Sequence, residues 1–361
     1  MKKFSWKKVG IAVCIICILA GAAAVFGLTV YKLNTKINNL SMYAQALEGD
    51  LQSTTSEMEQ IQESLKKRIV NINNKDGSTT IVCTTDYASS EYCVYQLAMS
   101  DLTGGFCYAV ELPNGEFVMI DSGNDGDAVA IKDFLLKNGA VVNSWFITHP
   151  HADHVGGLLN LLSQENHGGI EIKNIYYNPF TSDFFEKEAE GKDLPQLNNA
   201  VMFQEFEAAK TEETEIKFHA VAQKEQLKFD DMVITCLNSF NPQMYDVNGN
   251  SLVLHIDIKG VKLMVTGDIT DATLNQMKKN LGEDSNYWEV DFLQIPHHGY
   301  IAGISSDELY RLTMPQYVLL DCSTSEYDDN AINIRQHLKW ITDLEVPVLR
   351  RFKGPNMILI D

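Results

Sequence analysis

The sequence predicts a mixed α/β (α+β) domain of two packed sheets covered by helices, preceded by a transmembrane helix and a coiled-coil helix. Three patterns carry this expectation: an uncharged run at 9–31, a heptad seam within 32–70, and strands alternating with helices beyond about residue 80. The 361 residues are 45% hydrophobic and 21% charged, a composition that can bury a core. The net charge of −19 disfavours unspecific hold on polyanions, so nucleic acid is a possible but not a favoured partner.

Lys2, Lys3, Lys7 and Lys8 mark residues 1–8 as a cytosolic tail. Residues 9–31 follow as a signal-anchor, because at 1.5 Å per residue they cross a hydrocarbon core of about 30 Å. A cleaved leader would end near Ala20-Gly21-Ala22, yet the apolar run continues through Val25 to Val30. The four lysines outnumber Lys32 and Lys36 beyond the span, which leaves the bulk of the chain outside the cytosol. Apolar or small residues then recur at Leu33, Ile37, Leu40, Ala44, Leu47, Leu51, Thr54, Met58, Ile61 and Leu65. That spacing is a coiled-coil stalk over 32–70, expected to self-associate into a homo-oligomer, with one amphipathic helix folded onto the domain as the alternative.

Residues 71–94 read as a linker and leading strand, since Asn71 to Ser78 is rich in Asn, Gly and Ser. The domain proper is expected over 95–361. Phe106 to Leu112 and Glu116 to Ile120 flank the turn Pro113-Asn114-Gly115 as a hairpin. Ala128 to Lys137 is helical up to Gly139, and the apolar strand Val142 to Thr148 delivers His149 at its end. Helical spacing resumes at Val155 to Leu162. Later strands are expected at 172–177, 215–222, 232–237, 252–258, 261–266, 292–296, 317–320, 346–351 and 357–360, with helices at 272–280, 305–311 and 331–341. Such alternation suits two sheets packed together under helices.

Of the seven cysteines, Cys14 and Cys17 fall in the span. Cys83 and Cys93 are near enough in sequence to pair outside the cytosol. Cys107, Cys236 and Cys322 sit in strand-like runs and read as buried thiols.

The chemistry concentrates in Thr148-His149-Pro150-His151-Ala152-Asp153-His154-Val155-Gly156-Gly157. Three of the chain's nine histidines and an Asp fall within six residues after an apolar strand. Imidazole and carboxylate are the donors that suit zinc or iron. Val265-Thr266-Gly267-Asp268 and Ile295-Pro296-His297-His298-Gly299 place further ligands at two more strand ends.

On these residues the chain from about Tyr95 to Asp361 resembles the metallo-β-lactamase superfamily. The resemblance implies an αββα sandwich with a dinuclear site. It assigns His149 and His151 to a first metal, Asp153 and His154 to a second, Asp268 as bridge, and His298 as the last imidazole, with His297 lining the site and Asp121 outside the ligands. The family's further His has no clear counterpart: the segment Asp246 to Leu252 lacks one, and His219 and His255 are the remaining candidates. The run Asn248-Gly249-Asn250-Ser251-Leu252 is similar to the metallo-β-lactamase-type domain of DNA-uptake competence proteins and to a phosphorylcholine esterase acting on teichoic acid.

Phosphoester or phosphodiester hydrolysis by a metal-bound hydroxide is therefore expected, with two zinc ions, or manganese or iron. Asp153 would hold or deprotonate the nucleophile, His297 would protonate the leaving group, and Asn248, Asn250 and Ser251 would bind phosphoryl oxygens. The segment Phe180 to Phe206 reads as an insertion able to overhang the site. A small or cell-envelope phosphoester is the expected substrate. The alternatives are an extracellular nuclease and a non-catalytic anchor with a degenerate metal site.

Overall fold

The computed structural model describes residues 69–361 except 75–77, 85–90, 100–104, 190–193, 245, 329–330 and 351–354. The expected tail at 1–8, the anchor at 9–31 and all but the last two residues of the expected stalk lie outside the described residues. Among the described residues no helix is long and apolar enough to cross a membrane.

Strands β1 (Ile69–Asn73), β2 (Thr79–Cys83) and β3 (Tyr92–Gln96) precede the hairpin β4 (Tyr108–Glu111) and β5 (Phe117–Ile120). Helix α1 (Ala128–Asn138), β6 (Val141–Ile147), α2 (Ala152–Leu162), β7 (Glu171–Ile172), β8 (Asn174–Tyr177), α3 (Ser182–Ala189), α4 (Leu194–Glu212) and β9 (Lys217–Ala220) follow. The second half comprises β10 (Gln226–Phe229), β11 (Met232–Asn238), β12 (Val253–Ile258), β13 (Val261–Val265), α5 (Asp271–Leu281), β14 (Phe292–Gln294), α6 (Glu308–Thr313), β15 (Tyr317–Leu320), α7 (Thr324–Asp328), α8 (Arg335–Asp343), β16 (Val348–Arg350) and β17 (Asn356–Ile360).

The first sheet runs β1-β2-β17-β3-β4-β5-β6-β8-β9, with β7 beside β6, and the second runs β10 to β16 in sequence order. Strand alternation sets the layers. Val118 and Ile120 face Ile256, Val265 and Phe292 across the gap between the sheets. Phe117, Met119 and Trp145 face the opposite way, onto Ile131 and Leu135 of α1 and Leu158 of α2. Met264, Leu293 and Val318 of the second sheet meet Leu274, Leu309 and Ile341 on its helices. The result is the expected αββα sandwich.

The segment 71–94 departs from its sequence reading. It carries most of the β1–β2 hairpin as well as the start of β3, and β2 pairs in parallel with the last strand, β17. Asn-rich strands are weak local signals; here the pairing of Val70 with Val82 and Ile72 with Thr80 overrides local preference. Cys83 and Cys93 form no disulfide. They flank β17, opposite its consecutive residues Ile360 and Leu359, so their side chains point to opposite faces. Two strand spacings of about 4.8 Å also exceed the separation of roughly 7 Å that a disulfide tolerates. Burial pushes both thiols up to about 12.

Two outcomes follow from this packing. Reductant leaves the melting temperature unchanged in a thermal scan, whereas a Cys83–Cys93 bridge would lower it on reduction. Phe292→Ala, which empties a fully buried site between the sheets, destabilises by about 3–5 kcal/mol in urea titration.

Candidate metal centre

The strand-to-helix junction after β6 divides the His-rich motif into two parts. His149 lies in the loop after β6, and His151, in extended backbone, is the N-cap of α2. Asp153 and His154 fall on that helix's first turn, where an acidic side chain also suits the helix dipole. The helix docks closely on the loop after β5. Ser122 Oγ donates to His154 O at 2.8 Å and accepts from Leu158 N at 2.9 Å. A Cβ at Gly157 would stand 2.1 Å from Ser122 O, so no other residue allows this approach.

Asp268 arrives from the end of β13 and His298 from the end of β14. The ligand atoms form two groups, each spanning at most 4.8 Å: His149, His151 and Asp268, and Asp153, His154 and His298. Asp268 adjoins both, with Oδ1 3.2 Å from His154 Nε2 and Oδ2 3.8 Å from His149 Nε2 and 3.6 Å from His298 Nε2. Asp153 Oδ2 lies 3.2 Å from His298 Nε2. His149 and His151 bury their Nε2 atoms without a hydrogen-bond partner. Such orphaned imidazole nitrogens are what a cation needs, so the residues present fit divalent metals.

The opposite ring edges are held by the protein. Asp121 is buried with positive φ; it accepts from Thr148 N and Thr148 Oγ1 at 2.7 Å and lies 2.7 Å from His154 Nδ1. His149 Nδ1 has Thr148 Oγ1 at 3.0 Å and Ser251 Oγ at 3.2 Å. Ser251 Oγ also accepts from Asp268 N at 3.1 Å. These contacts leave Nε2 as the outward donor of each ring.

Burial leads the electrostatics. It pushes His149 well down and His151 to about 4. For His154 burial opposes charging, but Asp268, Asp121 and Asp153 outweigh it and hold its pKa well above the ordinary value. Burial likewise opposes ionisation of Asp268, yet His154, His298 and His297 hold its carboxyl far below the usual range.

Several sequence expectations change. Asn250 and Ser251 are fully buried, and their side chains are taken up by the protein's own hydrogen bonds. Asn250 donates to Met244 O and Asp246 O and accepts from Asn241 N, so it is a loop tie. Ser251 supports His149 and Asp268. Asn248 stays near the rim, with Nδ2 3.3 Å from His297 Nε2. His297 stands 3.8 Å from Asp268 Oδ2 but belongs to neither ligand group. His219 lies against Asn174 and Tyr176, and His255 against Tyr287, so neither joins the cluster. The insertion is a packed wall: Phe180, Phe184, Phe185 and Phe203 are buried with Val247. Sequence reasoning passed over Thr148 and Tyr300, whose ring lies 5.5 Å from His297 and 5.9 Å from His298. A lone Thr or Tyr carries no spacing signal.

Residues 100–303 match the sequence profile of a family described as the Metallo-beta-lactamase superfamily. A ribonuclease J of Mycoplasma pneumoniae is 30% identical over 89 residues, 25% of this chain and 15% of that protein. A ribonuclease J of Mycoplasma genitalium is 28% identical over 137 residues, 36% of this chain and 23% of that protein. The chain thus spans under a quarter of the length of these relatives. The metallo-beta-lactamase fold protein YhfI of Bacillus subtilis superposes with a TM-score of 0.48 and 15% identity, over 75% of this chain and 100% of that one.

Asp121→Ala removes the acceptor for Thr148 and the support of His154. It is expected to weaken metal binding about 10- to 100-fold, read by competition with a chromophoric chelator; wild-type affinity would refute that role.

Proposed function

The chain belongs to the metallo-beta-lactamase superfamily of metal-dependent hydrolases, and on that premise we propose that it cleaves a phosphoester or phosphodiester from an extracytoplasmic position, anchored through residues 9–31. The observation that supports the phosphoryl reading is the pair of adjoining ligand groups, with Asp268 Oδ1 of one 3.2 Å from His154 Nε2 of the other. Paired cations suit in-line displacement at phosphorus, because the attacking and leaving oxygens can each be stabilised. The chemistry that such cations supply is activation of water and neutralisation of phosphoryl charge; zinc is the first choice, manganese or iron the alternatives.

The chain's own residues do the rest. His149, His151 and Asp268 hold one position, and Asp153, His154 and His298 hold the other. Asp153 is the ligand carboxylate open to solvent, its side chain 34% exposed, so its Oδ atoms can hold the proton of an incoming water. His297 stands at the rim. From there its ring can supply a proton to the leaving oxygen. Asn248 Nδ2 beside it can donate to a phosphoryl oxygen.

The substrate proposed is a small or cell-envelope phosphoester. A second reading, nucleic-acid cleavage, is favoured by the ribonuclease J likeness. The net charge of −19 weighs against it, since long polyanions are held by Lys and Arg along their path. Two groups of three candidate ligands weigh against a degenerate, non-catalytic module.

The test is the metal-loaded full chain in detergent, assayed on a bis-aryl phosphodiester, phosphorylcholine esters, RNA, DNA and lactones. Phosphoester turnover is expected, and Asp153→Ala should lower it by roughly 10²-fold or more. His297→Ala should lower kcat while metal content stays at the wild-type level. Lactone cleavage without phosphoester turnover would sink the proposal.

A further inference from the structure

His298 differs from its neighbours in how it is supported. His154 leans on a carboxylate and His149 on two hydroxyls, but His298 Nδ1 has a backbone carbonyl, Asp321 O, at 3.4 Å. Asp321 follows β15, and its own side chain is buried between the sheets. Gln96 Nε2 donates to Asp321 Oδ1 at 3.0 Å and to Leu320 O at 3.1 Å. Tyr108 OH donates to Asp321 Oδ2 at 2.8 Å. Gln96 Oε1 in turn accepts from Asn356 Nδ2 at 2.7 Å, and Asn356 Oδ1 accepts from Thr79 N at 2.8 Å. Gln96, Tyr108, Asp321 and Asn356 are all buried.

We propose that Asp321, clamped by Gln96 and Tyr108, is a positioning residue that fixes the His298 ring through its own carbonyl and so sets the affinity of the second metal position. The inference rests on His298 being a ligand, and not on which substrate is cut.

A ring nitrogen that donates to a carbonyl fixes the tautomer and leaves Nε2 as the donor atom. A carbonyl at a strand end is free to shift unless something holds it. Here the side chain of the same residue ties that strand end to β3 and β4 of the opposite sheet. A buried carboxylate is an unfavourable tie where stability alone is at stake, because it loses its hydration and apolar packing would join the sheets as well. His298 also has positive φ, so its backbone does not settle there by local preference and the ring depends on outside support.

The full chain is stripped with chelator and titrated with Co²⁺ and Zn²⁺, reading both binding steps by competition and the Co²⁺ d–d spectrum. Asp321→Ala is expected to weaken one of the two steps about 10- to 100-fold and to alter the spectrum, leaving the other step unchanged. Tyr108→Phe should weaken the same step by less, and Asp321→Asn, which keeps an acceptor for Gln96, should restore it. Both steps at wild-type affinity in Asp321→Ala and Tyr108→Phe, with only the melting temperature lowered, would overturn the proposal and leave a plain tie between sheets. Should Asp321→Ala fail to fold, Tyr108→Phe decides alone. Wild-type protein that binds two Co²⁺ yet cleaves no phosphoester would defeat the functional reading and leave this one standing.

Discussion

The structure turns on one constraint: a carboxylate, Asp268, is buried among imidazoles where water cannot solvate it. Leaving a charge unpaired in such a place is strongly unfavourable, by several kcal/mol. The protein meets this by surrounding Asp268 with ring nitrogens from His149, His154, His297 and His298 at 3.2–3.8 Å. The same geometry makes the centre a trap for cations. Charges that oppose one another at fixed positions are compensated either by protons on the rings or by metal between them.

Holding that arrangement needs close backbone approaches and unusual conformations. Asp121, His297 and His298 all have positive φ, which non-glycine residues rarely adopt and which clusters at functional sites. Gly267 also has positive φ, and a Cβ there would meet Ser251 Cβ at 2.9 Å and Thr148 Cβ at 3.1 Å. The loop before β12 therefore lies against the end of β6. That is why Ser251 reaches both His149 and Asp268, and why it braces the centre from behind.

The sandwich supplies the rigidity. β6 comes from one sheet and β13, β14 and β15 from the other, so the ligands converge only while the sheets keep their register. Contacts that cross between the sheets, such as Tyr108 to Asp321, couple that register to the rings. The aromatic wall of Phe180, Phe184, Phe185 and Phe203 adds a fixed boundary beside the loop that carries Asn248.

The sequence by itself determined the mixed α/β sandwich and picked out the residues that gather into the two candidate ligand groups. Apolar runs ending in His149, Asp268 and His298 are a local pattern, and strand periodicity needs no partner to be read. The pattern also located the hairpin around Gly115 and the helix stopped by Gly139 within a residue or two. Only the tertiary structure decided which of these side chains group together and which residues brace them. Asn250 and Ser251 lie one peptide apart in a polar loop, and sequence makes them look like substrate contacts. Packing instead buries both, because their hydrogen bonds are completed by Met244, Asp246, Asn241, His149 and Asp268. Likewise Cys83 and Cys93 are near in sequence but stand on opposite faces either side of β17, a strand from the far end of the chain. Spacing along the chain fixes side-chain direction within one element; across elements, direction is set by which strands pair, and that is a property of the whole fold.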